Sequence, residues 1–171
     1  MTKEKKMETF DFGFGPVPAH KHANGGGWVA DTAHVSESAY VGSDARVYGN
    51  ARVCDNAWVY GDARVYGDAL VCGDAWVCGN ALVYDNAQVY GNALVCGNDK
   101  ISRKIEIVFV SGFCFPITVT PQSITIGCQH KSHSEFLAVT KKMAIEMGLP
   151  ADEYSAVKAI VKAAVKQVTR K

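Results

Sequence analysis

Three groups of residues carry side chains able to do chemistry. His20, His22 and Asn24 lie in a stretch that closes on Gly25-Gly26-Gly27. Two imidazoles two residues apart can hold a metal or an anion, but without further ligands they read as part of a capping loop. Cys128, His130 and His133 form a second group, with Cys114 as a candidate fourth ligand. Their spacing fits no strong zinc pattern, and no metal site is assigned. The third group is Arg46, Arg52 and Arg64 with Tyr48 and Tyr66. Guanidinium groups suit phosphates and phenol rings stack on bases, so these five are the candidate ligand-binding residues. His34 stands alone; a general base needs a positioned nucleophile, and no catalytic residue is assigned. No cofactor is expected.

The element that must position most of these residues is a repeat. Residues 28–99 form twelve six-residue units in unbroken register. Val holds the second place of every unit, from Val29 to Val95, and Ala the sixth place of eleven, from Ala33 to Ala93. Only Asp99 breaks the alanine column. Within a unit such as Ala51-Arg52-Val53-Cys54-Asp55-Asn56, Ala and Val are two apart and share one side of a strand. A corner follows, with Gly in its first place in seven units and Asp or Asn in its second in ten. Gly tolerates left-handed backbone geometry, and Asx side chains hydrogen-bond their own turns. A strand and a corner every six residues close into a coil with few sides.

The pairs Val29 and Ala33 through Val89 and Ala93 resemble the hexapeptide-repeat family. That resemblance implies a left-handed parallel β-helix with three units per turn, hence about four triangular coils in a mainly β chain. The family often has a small residue after the aliphatic one; here that place is mostly Tyr or Cys, read as a corner variant. Coils stacked ~4.8 Å apart make a prism about 19 Å tall with a Val/Ala interior and no room for a ligand. Function is therefore expected on the outer faces, at the ends, between subunits or in the flanks.

At that pitch, residues eighteen apart stack. One face carries Tyr40, Trp58, Trp76 and Leu94; a second carries Trp28, Arg46, Arg64 and Leu82; the third carries His34, Arg52, Leu70 and Gln88. A continuous aromatic stripe marks a contact surface. The family resemblance implies a homotrimer of prisms side by side, so Tyr40, Trp58, Trp76 and Leu94 are the expected oligomer interface. An ice-binding ladder is excluded, since the repeat contains a single threonine, Thr32.

The net charge of +1 hides an asymmetry: residues 28–99 hold nine acids and three Arg, residues 100–171 eleven bases and five acids. Acidic corners and basic helices are read as solvated surface, and nucleic acid is not an expected partner. No apolar run is long enough for a signal peptide or a membrane span, so a cytoplasmic protein without membrane contact is expected. Its six Cys then read as reduced thiols, without a disulfide framework, although Cys54/Cys72 and Cys78/Cys96 stack as neighbours.

The flanks divide the chain into an N-terminal cap or loop (1–27), the repeat (28–99) and a C-terminal α+β tail (100–171). Phe10, Phe12 and Phe14 are expected to cover the first coil, because a solenoid end exposes unpaired strand edges. In the tail, Ile105, Ile107 and Phe109 mark one strand, and Cys114–Thr120 and Ser123–Cys128 two more. Ser132 and Glu135 form a capping-box signal for a helix running to about Met147, ended by Gly148 and Pro150. A second helix is expected from about Asp152 to Thr169, with Lys158, Lys162, Lys166 and Arg170 in a basic line read as a solvated face.

Coils followed by such a tail resemble small phage and prophage proteins. The likeness rests on the Val-Tyr-Gly-Asp/Asn-Ala units, on the run from His20 to Trp28, and on Ile126-Gly127-Cys128 leading to Ser134-Glu135-Phe136. It implies no particular activity. The expectation is a non-catalytic trimeric binding protein that grips a host defence protein or sequesters a small nucleotide-like anion at inter-subunit clefts. The alternatives are a hexapeptide-type acyltransferase, with His34 as the only base in the repeat, and a structural spacer or virion accessory protein.

Overall fold

A computed structural model of the chain describes residues 8–103 and 106–169. Ile105, Arg170 and the polar start at residues 1–6 lie outside the described residues. The N-terminal segment forms a hairpin of β1 (Thr9–Asp11) and β2 (Pro16–Lys21). The first coil holds β3 (Trp28–Ala30), β4 (His34–Val35) and β5 (Tyr40–Val41). The second holds β6 (Arg46–Val47), β7 (Arg52–Val53) and β8 (Trp58–Val59). The third holds β9 (Arg64–Val65), β10 (Leu70–Val71) and β11 (Trp76–Val77). The fourth holds β12 (Leu82–Val83), β13 (Gln88–Val89) and β14 (Leu94–Val95), and β15 (Lys100–Ile101) begins a fifth.

These strands pair in parallel on three faces, each step joining residues eighteen apart. The aromatic face is β5-β8-β11-β14, the arginine face β3-β6-β9-β12-β15, and the mixed face β4-β7-β10-β13. The core is one column of valines and alanines, almost all completely buried, closed at the bottom by Ile101. Interior positions two apart point one way and leave Arg, Trp or Leu pointing out between them.

The corners show why their residue types recur. Gly67 has φ +71°, and an added Cβ would lie 2.8 Å from the Asp85 backbone nitrogen one coil below. Asp55 and Asp85 take the same place at φ 57° and 51°. The following Asx residues form hydrogen-bonded ladders between coils, as where Asn50 Nδ2 donates to Asp68 Oδ1 (3.1 Å) and Asn80 Nδ2 to Asn98 Oδ1 (3.2 Å).

Both solenoid ends are covered. At the top, β2 runs antiparallel to β3, Phe10 stacks on Trp28 (4.6 Å between centroids) and Phe12 on Tyr48 (4.9 Å). At the bottom sits the tail, an antiparallel sheet of β16 (Val108–Val110), β17 (Ile117–Val119), β18 (Ser123–Ile126) and β19 (Gln129–Ser132), with α1 (His133–Ala138), α2 (Lys141–Glu146) and α3 (Tyr154–Val168). Ile117, Val119 and Ile124 form the tail core with Val157 and Val161 of α3, while Ile107 and Phe109 pack against the solenoid core.

The structure differs from expectation at two points in the tail and one in the coils. The tail has four strands rather than three: Gly127, at φ +55°, turns the chain so that the polar run Gln129–Ser132 returns along β18. It has three helices rather than two. The capping box of Ser132 and Glu135 starts α1 as expected, but the helix stops at Val139, whose backbone is extended. Its carbonyl instead accepts hydrogen bonds from the Tyr154 hydroxyl and Lys158 Nζ, both 2.9 Å, and Thr140 caps a new helix, α2. Finally, Cys78 and Cys96 are joined by a disulfide, where reduced thiols were expected. The eighteen-residue register brings their Cα atoms to 4.6 Å, within bonding reach. Cys54 and Cys72, in the same register on another corner, remain thiols.

Candidate functional site

On the aromatic face the rings of Tyr40, Trp58 and Trp76 stack along the prism axis, with centroids 4.7 and 5.6 Å apart. The sheet register places them there, since each pairs directly with the next in parallel strands. Tyr60 meets the Trp76 ring edge-on at 6.0 Å. Trp58 and Trp76 keep 42% and 44% of their surface exposed, in a chain where most large apolar side chains are covered. The fourth member of the column, Leu94, is half-buried. Its backbone N–H donates to Thr118 Oγ1 (3.0 Å), which fixes the tail sheet against the lower end of this face. Between face and tail lies a groove of about 280 Å³ lined by Trp76, Leu94, Asp74, Asn92, Thr118 and Thr125, among others.

The arginine face brings four of the five candidate ligand-binding residues together. Arg46 and Arg64 pair in adjacent strands. Beside them Tyr48, Tyr66 and Tyr84 stack at 4.9 and 5.2 Å. Burial raises the phenol pKa of Tyr48 and Tyr66, and for Tyr66 the neighbouring tyrosines add to it. The guanidinium of Arg46 lies 5.3 Å from the Phe10 ring centroid, within cation–π range. It also faces Asp11, whose pKa is lowered chiefly by hydrogen bonds from the Gly13 and Gly15 backbones and to a smaller degree by Arg46. Arg64 is exposed. Arg52 stands on the mixed face, between His34 and Leu70.

Four of the five histidines are taken up locally. His20 Nδ1 lies 2.9 Å from Asp31 Oδ1, and the buried His22 ring bonds the Ala39 carbonyl through Nε2 at 3.0 Å. Asn24 donates to the Ser38 and Ala39 carbonyls. His130 pairs with Thr125, and His133 with the Thr120 carbonyl. Among the described residues, no three His, Cys, Asp or Glu side chains come together as a metal site.

One polar cluster escaped the reading of the sequence. Asp99, the residue that interrupts the alanine column, is 2% exposed and accepts hydrogen bonds from Ser123 Oγ (2.6 Å) and Thr120 Oγ1 (2.9 Å). Its break in the pattern was the available signal, but its partners lie more than twenty residues away. Burial raises its pKa against the opposing effect of these hydrogen bonds. Asp74 and Asn92 were likewise invisible as site residues, because they are ordinary corner residues of the repeat.

A prism of parallel coils with an aliphatic column inside defines a β-solenoid repeat protein. The sequence profile of the YdcK beta solenoid repeat family matches residues 45–61, 59–73, 63–79 and 87–99, all within the coils. The chain matches no curated protein and no solved structure. No helix among the described residues is long and apolar enough to cross a membrane. A solenoid scaffold serves many activities, so the fold by itself assigns none.

Proposed function

We propose that the chain is a non-catalytic binding protein that acts from its outer faces as a homotrimer. The observation that supports this reading is the exposed Trp58–Trp76 stack on a prism whose interior is filled by valine and alanine. A filled interior leaves the prism only its outside surface for a ligand, and an exposed aromatic patch is surface that a partner covers. In this reading copies pack through Tyr40, Trp58, Trp76 and Leu94. The clefts between them, lined by Arg46, Arg52, Arg64, Tyr48 and Tyr66, take a small nucleotide-like anion. Arg64 carries most of that task, since Arg46 already faces Phe10 and Asp11. The resemblance to small phage and prophage proteins supports sequestration of a signal in a host cytoplasm as the setting.

Native mass spectrometry of freshly purified protein, followed by denaturing release of small molecules, tests this. A trimer with a nucleotide-sized adduct is expected. A bare trimer would shift the ligand to a host protein or the role to a structural one, and a monomer would overturn the cleft reading.

A further inference from the structure

The aromatic ladder ends one ring short. Trp58 covers one face of the Trp76 ring, so the opposite face turns toward the fourth coil. There the column continues with Leu94, a side chain too small to cover an indole, and Trp76 stays 44% exposed. The groove of about 280 Å³ lies at that level, between Trp76, Leu94 and the tail sheet. We infer that this groove is a binding slot for one planar nitrogen heterocycle of nucleobase size, which stacks on Trp76 as a further rung of the ladder.

The size of the slot limits its occupant. Pockets for drug-sized molecules run roughly 300–1,000 Å³, so this one holds a single ring system rather than an extended ligand. Its rim defines the chemistry. Asp74 is the one ionisable side chain in the lining. Its Oδ1 accepts from Asn56 Nδ2 at 3.3 Å, and Oδ2 has no partner among the described residues. A carboxylate acceptor beside an indole face suits a neutral or cationic ring with N–H donors on its edge. The same carboxylate disfavours a phosphate next to it. Asn92 offers both a donor and an acceptor, and the Thr118 hydroxyl, which accepts from Leu94, still has a proton to donate. The slot is built by one chain and stands apart from the arginine face, so it does not rest on the trimer reading. It opens on Trp76 and Leu94, which that reading covers, so a base in the slot and a copy packed over the lower end of the column exclude each other.

The repeat itself supplies variants that should fold. Leu occupies the same outward place at 70, 82 and 94, and Asn the same corner place at 50, 56 and 80. Trp76→Leu and Asp74→Asn therefore use residues the coil already accepts. Adenine, guanine and cytosine, each as free base and as nucleoside monophosphate, would be titrated into the full chain and followed by ligand-observed NMR and calorimetry. Melting temperatures and native masses would be recorded on the same samples. At least one free base is expected to bind, more tightly than its monophosphate, with an affinity reduced on the order of tenfold in Trp76→Leu, the loss of one base–aromatic stack. Asp74→Asn should narrow the gap between base and monophosphate. The inference is overturned if no base binds, if the monophosphate binds better than the base, or if Trp76→Leu binds unchanged. A monomeric mass before any base is added, with base binding intact, would instead sink only the trimer reading.

Discussion

Asp99 shows how one side chain joins the two halves of the molecule. It stands where the repeat has alanine, and its carboxylate holds Ser123 and Thr120 of the tail. Asp99→Ala restores the repeat but leaves buried hydroxyls short of an acceptor, at a cost of about 1–3 kcal/mol. Hydrogen exchange should show faster opening of β17 and β18, with little change in the upper coils. The pH dependence has a definite sign. Burial raises the Asp99 pKa above its ordinary 3.8, so its contribution is fully present below that value and is lost as pH rises through the folded pKa. Asp99→Asn should remove that loss in a pH series of thermal melts. Glu106 works the other way. Burial opposes its ionisation, but hydrogen bonds from the Ser102 and Arg103 backbones and the Arg103 side chain outweigh this and lower its pKa. Its contribution is present above the ordinary 4.5 and is lost as pH falls through the lowered value.

Among the elements, the coil is specified by two requirements repeated along the chain: a small aliphatic pair inside and a left-handed corner. Val65 is completely buried between like residues above and below. Val65→Ala removes two methyl groups and leaves a gap, costing about 1.5–3 kcal/mol in chemical denaturation. Gly67→Ala should be at least as damaging. The left-handed backbone alone costs an L-residue about 1–2 kcal/mol, and the new Cβ would also press on the backbone of Asp85. Gly112 has nothing within 4 Å of an added Cβ, so Gly112→Ala isolates the backbone cost. If both variants melt alike, the inter-coil clash is unimportant. In the tail, the break between α1 and α2 is held by Tyr154 and Lys158 on the Val139 carbonyl.

In the whole molecule, a short solenoid is capped by a hairpin above and an α+β tail below, and the Cys78–Cys96 disulfide links the third and fourth coils. It closes an eighteen-residue loop, and loops of that length contribute roughly 2–4 kcal/mol. The double variant Cys78→Ala, Cys96→Ala should lower the melting temperature under oxidising conditions and match the wild type under strong reductant. Equal melts in both conditions would mean that the bond adds no stability. The Cys72 thiol, pushed up to about 11 by burial and then by its neighbour Cys54, is a poor nucleophile at neutral pH. Cys72 should therefore resist alkylation more than the exposed Cys114 and Cys128.

The coil was legible because its period is local: six residues carry a complete strand and corner, and eighteen-residue stacking follows from three such units. That arithmetic alone places Tyr40, Trp58, Trp76 and Leu94 in one column and Arg46 and Arg64 in another, with Arg52 apart. The capping box at Ser132 was legible for the same reason, since donor and acceptor lie within one turn. The features decided by distant contacts were not legible. The helix break at Val139 needs Tyr154 and Lys158, the fourth tail strand is a polar run that becomes β through its pairing with β18, and Asp99 needs partners from the tail. The groove below Trp76 exists because the tail docks beside the place where the ladder runs out of rings, held there by contacts such as Thr118 with Leu94 and Asp99 with Ser123. Short-range periodicity is written into neighbouring residues; a site between two docked halves depends on contacts that sequence spacing does not encode.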